Sequence, residues 1–390
     1  MFTDSATSSS TETILSTRAN LDAGGNARQR DVGLKAYNQA LQDGWADPRR
    51  LHFEGRRAGT LLSGAREACA SVFGVTPQEI HFAPSPAVAM QTLVAGVLAG
   101  RARVGKTAVT GATERAIILN ALAHAQADVH SLSVDTAGRL EPENFSRAIA
   151  TPGVALAITH HGNHEVGTIQ PIAEFAAAAK AARVPLLLDA CASVGQIPIA
   201  SGWDGLVANP ADWGAGQGIA IVALKARTRW RRAWPEDQDP LFPGGVSVPA
   251  AFAAAVTLQE AEAERVERAK FNAWATAQII ATVQAIDDCE VIGDQDNRLA
   301  GTLTFSCLYV DGEALTSEFD RQGFAVGSGS ACTSLTLEPS HVLGAMGVLT
   351  HGNIRIGIDH DVTAADIDRF CRILPGAIAT VRDHMGAGGL

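Results

Sequence analysis

Three apolar runs separated by helical stretches constrain this chain more than any other feature. KTAVTGA (106–112), GVALAIT (153–159) and VPLLLDA (184–190) read as buried strands that end in small or polar residues. EFAAAAKAARV (174–184) reads as a helix between the last two, and AVAMQTLVAGVLAG (87–100) has helical character as well. Strand, helix and strand in succession require right-handed crossovers and a mostly parallel sheet. Ligands of such sheets bind beyond the carboxyl ends of the strands, where Asp189 closes the third run.

A Pro/Gly-rich link over 240–249 precedes a long helix expected from about 250 to 287. Beyond it come a strand (LTFSCLYV, 303–310), a helix (GEALTSEFDRQG, 312–323), a Gly/Ser-rich cysteine loop, a strand (NIRIGI, 353–358) and a final helix from Thr363. These signals divide the chain into a loose Ser/Thr-rich tail (1–17), a large domain (18–249), and a linking helix with a small α+β domain (250–390). With 46% hydrophobic and 18% charged residues in 390, there is material for sizeable cores. A net charge of −10 argues against nucleic acid or an anionic membrane as the main partner. No apolar run reaches membrane-span length, and no signal peptide is expected at the N-terminus. Six cysteines without CxxC or framework spacing suggest reduced thiols and a cytoplasmic location.

The segment GSGSACTSLTLEPSHVLGAMG (327–347) places Cys332 among small residues, which leave a thiol accessible, and then starts a helix near Ser340. This segment resembles the active-site cysteine loop of the NifS-like cysteine desulfurases, within the class V aminotransferases of the pyridoxal phosphate (PLP) fold-type I superfamily. Other motifs carry the same resemblance in the same order. They are residues 51–82, NHEVGTIQPI (163–172), LLLDACASVGQIPI (186–199) and NIRIGI. The resemblance implies a fold-type I α/β architecture, with a mostly parallel sheet flanked by helices plus a small C-terminal domain. It also implies a homodimer, Cys332 as the catalytic sulfur, Asp189 as partner of the pyridine nitrogen and Arg355 as binder of a substrate carboxylate.

The same resemblance exposes departures at the cofactor site. The family's Ser-x-His-Lys segment becomes Asn209-Pro210-Ala211-Asp212 ahead of Trp213-Gly214, so Asp212 stands where the Schiff-base lysine belongs. The phosphate loop becomes Ala83-Pro84-Ser85-Pro86-Ala87-Val88, in which two prolines remove N–H donors and Ser85 is the remaining side-chain donor. The stacking histidine becomes Arg115, the ring-contacting asparagine becomes His164, a nearby glutamine becomes Ala192, and a trans-dimer phosphate segment shrinks to Gly244-Gly245-Val246-Ser247.

The reading that follows is a desulfurase-like chain without an internal PLP aldimine. It would act in sulfur transfer, scaffolding or regulation through Cys332, with a sulfur donor or acceptor protein or an active paralogue as partner. The alternative is an active enzyme on this scaffold, either a desulfurase with atypical PLP binding or a PLP-independent catalyst on an amino-acid-like substrate. No metal is expected, although residues 160–164 (HHGNH) gather three histidines. RTRWRRAW (227–234) reads as a solvated or interface patch.

Overall fold

The computed structural model describes residues 18–232, 239, 241–328 and 340–386. Strands run in chain order as β1 (Ala19–Leu21), β2 (Ile80–Ala83), β3 (Thr107–Gly111), β4 (Asp128–Leu132), β5 (Val154–His160), β6 (Leu186–Asp189), β7 (Gly205–Ala208), β8 (Ala220–Leu224), β9 (Cys289–Ile292), β10 (Thr302–Cys307), β11 (Phe324–Val326) and β12 (Asn353–Gly357).

Seven of these strands form one sheet in the order β2-β8-β7-β6-β5-β3-β4. β3 to β7 pair in parallel, and β8 runs antiparallel to both β7 and β2. Every residue of β5, β6 and β7 is buried, because helices cover both faces of the sheet and no strand side meets water. One face packs on the helix Pro86–Gly100, with Leu93, Val94 and Val97 against Leu156, Ile158 and Val222. The other face holds Phe145 and Phe175, stacked at 4.3 Å, from the helices Pro142–Ile149 and Ile172–Ala182.

The helix Val248–Gln284 has 37 residues, about 55 Å at 1.5 Å per residue. It begins slightly earlier than the sequence suggests, because Ser247 caps it by accepting the Ala250 N–H. Ala251, Ala254 and Leu258 in its first half join the core under the large sheet; Ala275, Ile279 and Val283 in its second half join a separate core. That second core lies between the antiparallel sheet β12-β10-β9 and the helices Gly312–Arg321 and Ala364–His384, around Phe319, Phe324 and Phe370. Thr363 and Asp366 close a reciprocal capping box at the start of the last helix. β1 pairs in parallel with β11, so Ala19 and Leu21 pack with the C-terminal core, a placement the sequence reading does not make.

The cysteines differ from expectation. Cys69 and Cys191 are buried thiols, and Cys371 is a half-buried one. Cys289 and Cys307, however, lie directly opposite each other on β9 and β10 and are joined as a disulfide. Strand register brings together two residues 18 positions apart, which spacing alone does not reveal.

Candidate active site

The strand order gathers the loops after β2, β3, β5, β6 and β7 at one end of the sheet. These loops carry Ser85, Arg115, His164, Asp189 and Asp212. Asp189 ends β6 opposite His160 of β5, and Asp212 follows β7 in a short 3-10 turn, Pro210–Trp213. Asn209 starts that turn by accepting the Ala211 N–H, and Gly214 ends it with φ +83°. A Cβ at Gly214 would come within 2.6 Å of the Arg28 carbonyl, so glycine is required where the Asp212 turn meets the N-terminal segment.

Asp189 is 2% exposed. One carboxylate oxygen accepts the Cys191 N–H at 3.0 Å, and the other lies 3.4 Å from Nη1 of Arg115. The guanidinium therefore meets the carboxylate that the family likeness assigns to a pyridine nitrogen. Burial opposes the arginine's charge, but the negative groups around it, led by Asp189 and including Asp212, outweigh burial and push its pKa up. Asp212 accepts the Gly25 N–H on Oδ1 at 2.5 Å. Burial raises its carboxyl to about 6, against the opposing pull of Arg115 and the Gly25 N–H. Arg115 thus stands between two carboxylates, paired with Asp189 and within the field of Asp212, so a side chain of this chain offsets the Asp189 charge without a cofactor.

His164 lies on the same wall, and burial followed by the positive field of Arg115 and Arg355 pushes its pKa well below the usual histidine value. It is a neutral imidazole at pH 7, and its Nδ1 has no partner among the described residues. The neighbouring histidines are committed elsewhere. His160 bonds Glu114 at 2.9 Å and Gln170 at 3.2 Å, and its pKa is raised because the Glu114 carboxylate overcomes burial. His161 bonds Ser193, and burial lowers it to about 4. Among the described residues no group of three His, Cys, Asp or Glu side chains is placed to hold a metal ion.

A cavity of about 100 Å³ opens beside this cluster, walled by Gly25, Arg115, His164, Gln196, Asp212 and Asn272, among others. Asp189 does not line it but stands behind Arg115. Arg355 projects from β12 to Asp22, with Nη2 3.0 Å from Oδ1, so its guanidinium already has a carboxylate partner. Cys332 lies outside the described residues. Sequence reasoning missed the Gly25 N–H, the buried Glu114–His160 pair, and Oδ1 of Asn272 and Oε1 of Gln196, which have no partner among the described residues.

These residues do not fit a lysine-bound PLP. The chain has five lysines, Lys35, Lys106, Lys180, Lys225 and Lys270, and none lines the cavity. Lys225 sits over the Trp203 ring, and its backbone bonds Asp204 just ahead of β7, at the opposite end of the sheet from Asp189. The phosphate position fits no better. Ser85 caps the helix Pro86–Gly100 by accepting the Val88 N–H at 3.3 Å, and Pro86 has no N–H. Because the Ala89 N–H is bonded to the Ser85 carbonyl, Ala87 holds the only first-turn amide left to face an anion. The cavity is also below the roughly 300–1,000 Å³ of cofactor-sized sites.

Comparison with known proteins places this geometry in a family. The class-V aminotransferase family model matches residues 19–226 and 242–370. Cysteine desulfurase NifS of Azotobacter vinelandii is 31% identical over 385 residues, with 93% of each chain covered. Cysteine desulfurase IscS of Dictyoglomus turgidum is 27% identical, with 93% of this chain and 95% of the relative covered. Among solved structures, a NifS-like protein superposes with a TM-score of 0.86 at 22% identity, over 93% of this chain and all of that one. The apo cysteine desulfurase of Thermococcus onnurineus NA1 gives 0.84 at 14% identity, over 97% and 100%. The expected fold-type I architecture is therefore the one observed, and the chain belongs to the class-V aminotransferase family, among its cysteine-desulfurase-like members.

Proposed function

We propose that this chain is a desulfurase homologue that has given up lysine-bound PLP catalysis and serves in sulfur transfer, scaffolding or regulation through Cys332. The Arg115–Asp189 ion pair carries this reading. A buried carboxylate needs a positive partner. In the relatives' chemistry a protonated pyridine would supply it; here a side chain of the same chain does. The carboxyl of Asp212, in place of an amine, removes the covalent anchor as well. The Cys332 thiol can still carry sulfur without PLP, because a persulfide moves between thiols when a donor supplies it. Incubation of purified protein with PLP, cysteine and a thiol reductant should release no sulfide above a protein-free control. Steady turnover to sulfide and alanine would overturn the proposal.

One observation favours the alternative of a PLP-independent enzyme. Asp212, poised near 6, and the neutral His164 share a cavity wall, the combination general acid–base chemistry uses near neutral pH. Under either reading we propose a homodimer. Leu34, Leu41, Trp45, Leu51 and Phe53 lie exposed within a 20-residue stretch, with Trp45 at 69% and Leu51 at 86% exposure. An apolar patch of that kind marks an interface. No helix among the described residues is long and apolar enough to cross a membrane. A cytoplasmic location, a sulfur donor, acceptor or active paralogue as partner, and the division at residue 249 belong to the same proposal.

A further inference from the structure

The Cys289–Cys307 pair lies apart from the cavity, in the antiparallel sheet of the C-terminal core. Its two sulfurs are placed unequally. Cys307, on the central strand β10, is fully buried. Cys289 opens the edge strand β9 and is half-buried, at the rim of the core. The Arg382 guanidinium stands over Cys289, with Nη2 3.8 Å from its Sγ. Two backbone carbonyls hold it there: Asp287, which accepts from Nη2 at 2.9 Å, and Leu308, which accepts from Nε at 3.2 Å. The carbonyls belong to the segments leading into β9 and out of β10, so the cation is locked at the mouth of the disulfide.

An edge position, one half-buried and one fully buried cysteine, and a fixed cation on the half-buried one are the features of a thiol that exchanges. We propose that Cys289 and Cys307 form a reversible dithiol–disulfide exchange site for an external dithiol reductant, with Cys289 as the sulfur that meets the partner and Cys307 as the resolving sulfur.

The electron count closes. A thiolate of the dithiol attacks Cys289 Sγ, the protein S–S bond breaks, and its electron pair leaves on Cys307, which takes up a proton. The resulting mixed disulfide joins Cys289 to the reductant. The second thiolate of the reductant attacks its own sulfur in that bond and releases Cys289 as a thiolate beside Arg382. The protein gains two electrons and the dithiol becomes a disulfide. In reverse, the Cys289 thiolate attacks an external disulfide, and Cys307 resolves the mixed intermediate. Neither direction involves PLP, Asp212 or Cys332, so the site is independent of the function proposed above.

The test uses the full chain, native and without denaturant. After dithiothreitol, iodoacetamide labelling with peptide mapping should mark Cys289, with the far-ultraviolet circular dichroism unchanged. Oxidised glutathione added to reduced Cys307→Ser protein should leave one glutathione on Cys289, whereas the same treatment of Cys289→Ser should leave Cys307 unmodified. Arg382→Gln should slow the reaction of reduced Cys289 with an aromatic disulfide by roughly threefold or more. A pair that dithiothreitol reduces only after denaturant, or glutathione found on Cys307 in preference to Cys289, would overturn the proposal. An unchanged rate in Arg382→Gln would count against the role given to the guanidinium.

Discussion

Replacing Arg115 by methionine tests the idea that its guanidinium compensates the buried Asp189 carboxylate. Two unit charges 3.4 Å apart interact by about 5 kcal/mol at an effective dielectric near 20. The loss should be smaller than that. The Arg115 side chain keeps 20% of its surface in water, and the Cys191 N–H continues to bond Asp189 after the cation is gone. Breaking a fully buried pair costs about 3–5 kcal/mol by leaving one charge without a partner. For this partly hydrated pair a loss of roughly 2–4 kcal/mol is expected for Arg115→Met. Asp189→Asn should cost less, since it leaves a neutral acceptor beside a guanidinium that water can reach. Guanidinium chloride unfolding of the two single variants and of the double variant, at pH 7.5, gives the coupling between them. A coupling of about 1–3 kcal/mol is expected. A coupling below about 0.5 kcal/mol would mean that Asp189 finds its compensation elsewhere, and the account of the site would fail.

The Asp212 carboxyl gives a pH signature. Its pKa in the folded chain is raised to about 6 from an ordinary value of 3.8, so its contribution to stability is fullest below the ordinary value and is lost as pH rises through 6. Asp212→Asn keeps the acceptor for the Gly25 N–H and should raise stability at pH 8 by roughly 1–2 kcal/mol while flattening the change between pH 4 and 6; an unaltered pH profile would contradict the burial argument. Asp212→Lys should not by itself create a PLP site, because the Arg115–Asp189 pair and the Pro86 turn remain. Stoichiometric PLP uptake by that single variant would show that only the amine was missing. Leu51→Asp combined with Phe53→Asp should leave the circular dichroism intact and shift the mass seen by light scattering from dimer to monomer; a dimer that persists would place the interface elsewhere.

Much of the fold was legible because buried parallel strands must be apolar throughout. Residues 153–159 and 184–190 announced β5 and β6 for that reason, and Ser340 announced the helix it caps by accepting the Leu343 N–H. β1 was not legible: three residues cannot display a period, and their partner Phe324–Val326 lies some 300 positions away. The reversal of β8 was hidden likewise, since an apolar strand reads the same in either direction. At the site, Asp212 and Arg115 stood out only through the family resemblance, as a carboxylate and a cation where an amine and an imidazole belong. Their consequence needed the topology. Arg115 and Asp189 are 74 positions apart, and only the loops after β3 and β6 at one sheet end bring the guanidinium onto the carboxylate.

The central claim is that the cavity cannot hold PLP through a lysine. The measurement that meets it most directly is borohydride reduction of the purified protein after equilibration with equimolar PLP, followed by peptide mapping of all five lysines. The account predicts no lysine carrying a stoichiometric reduced pyridoxyl group and no internal-aldimine absorption before reduction. One pyridoxyl group per chain on any single lysine would contradict it.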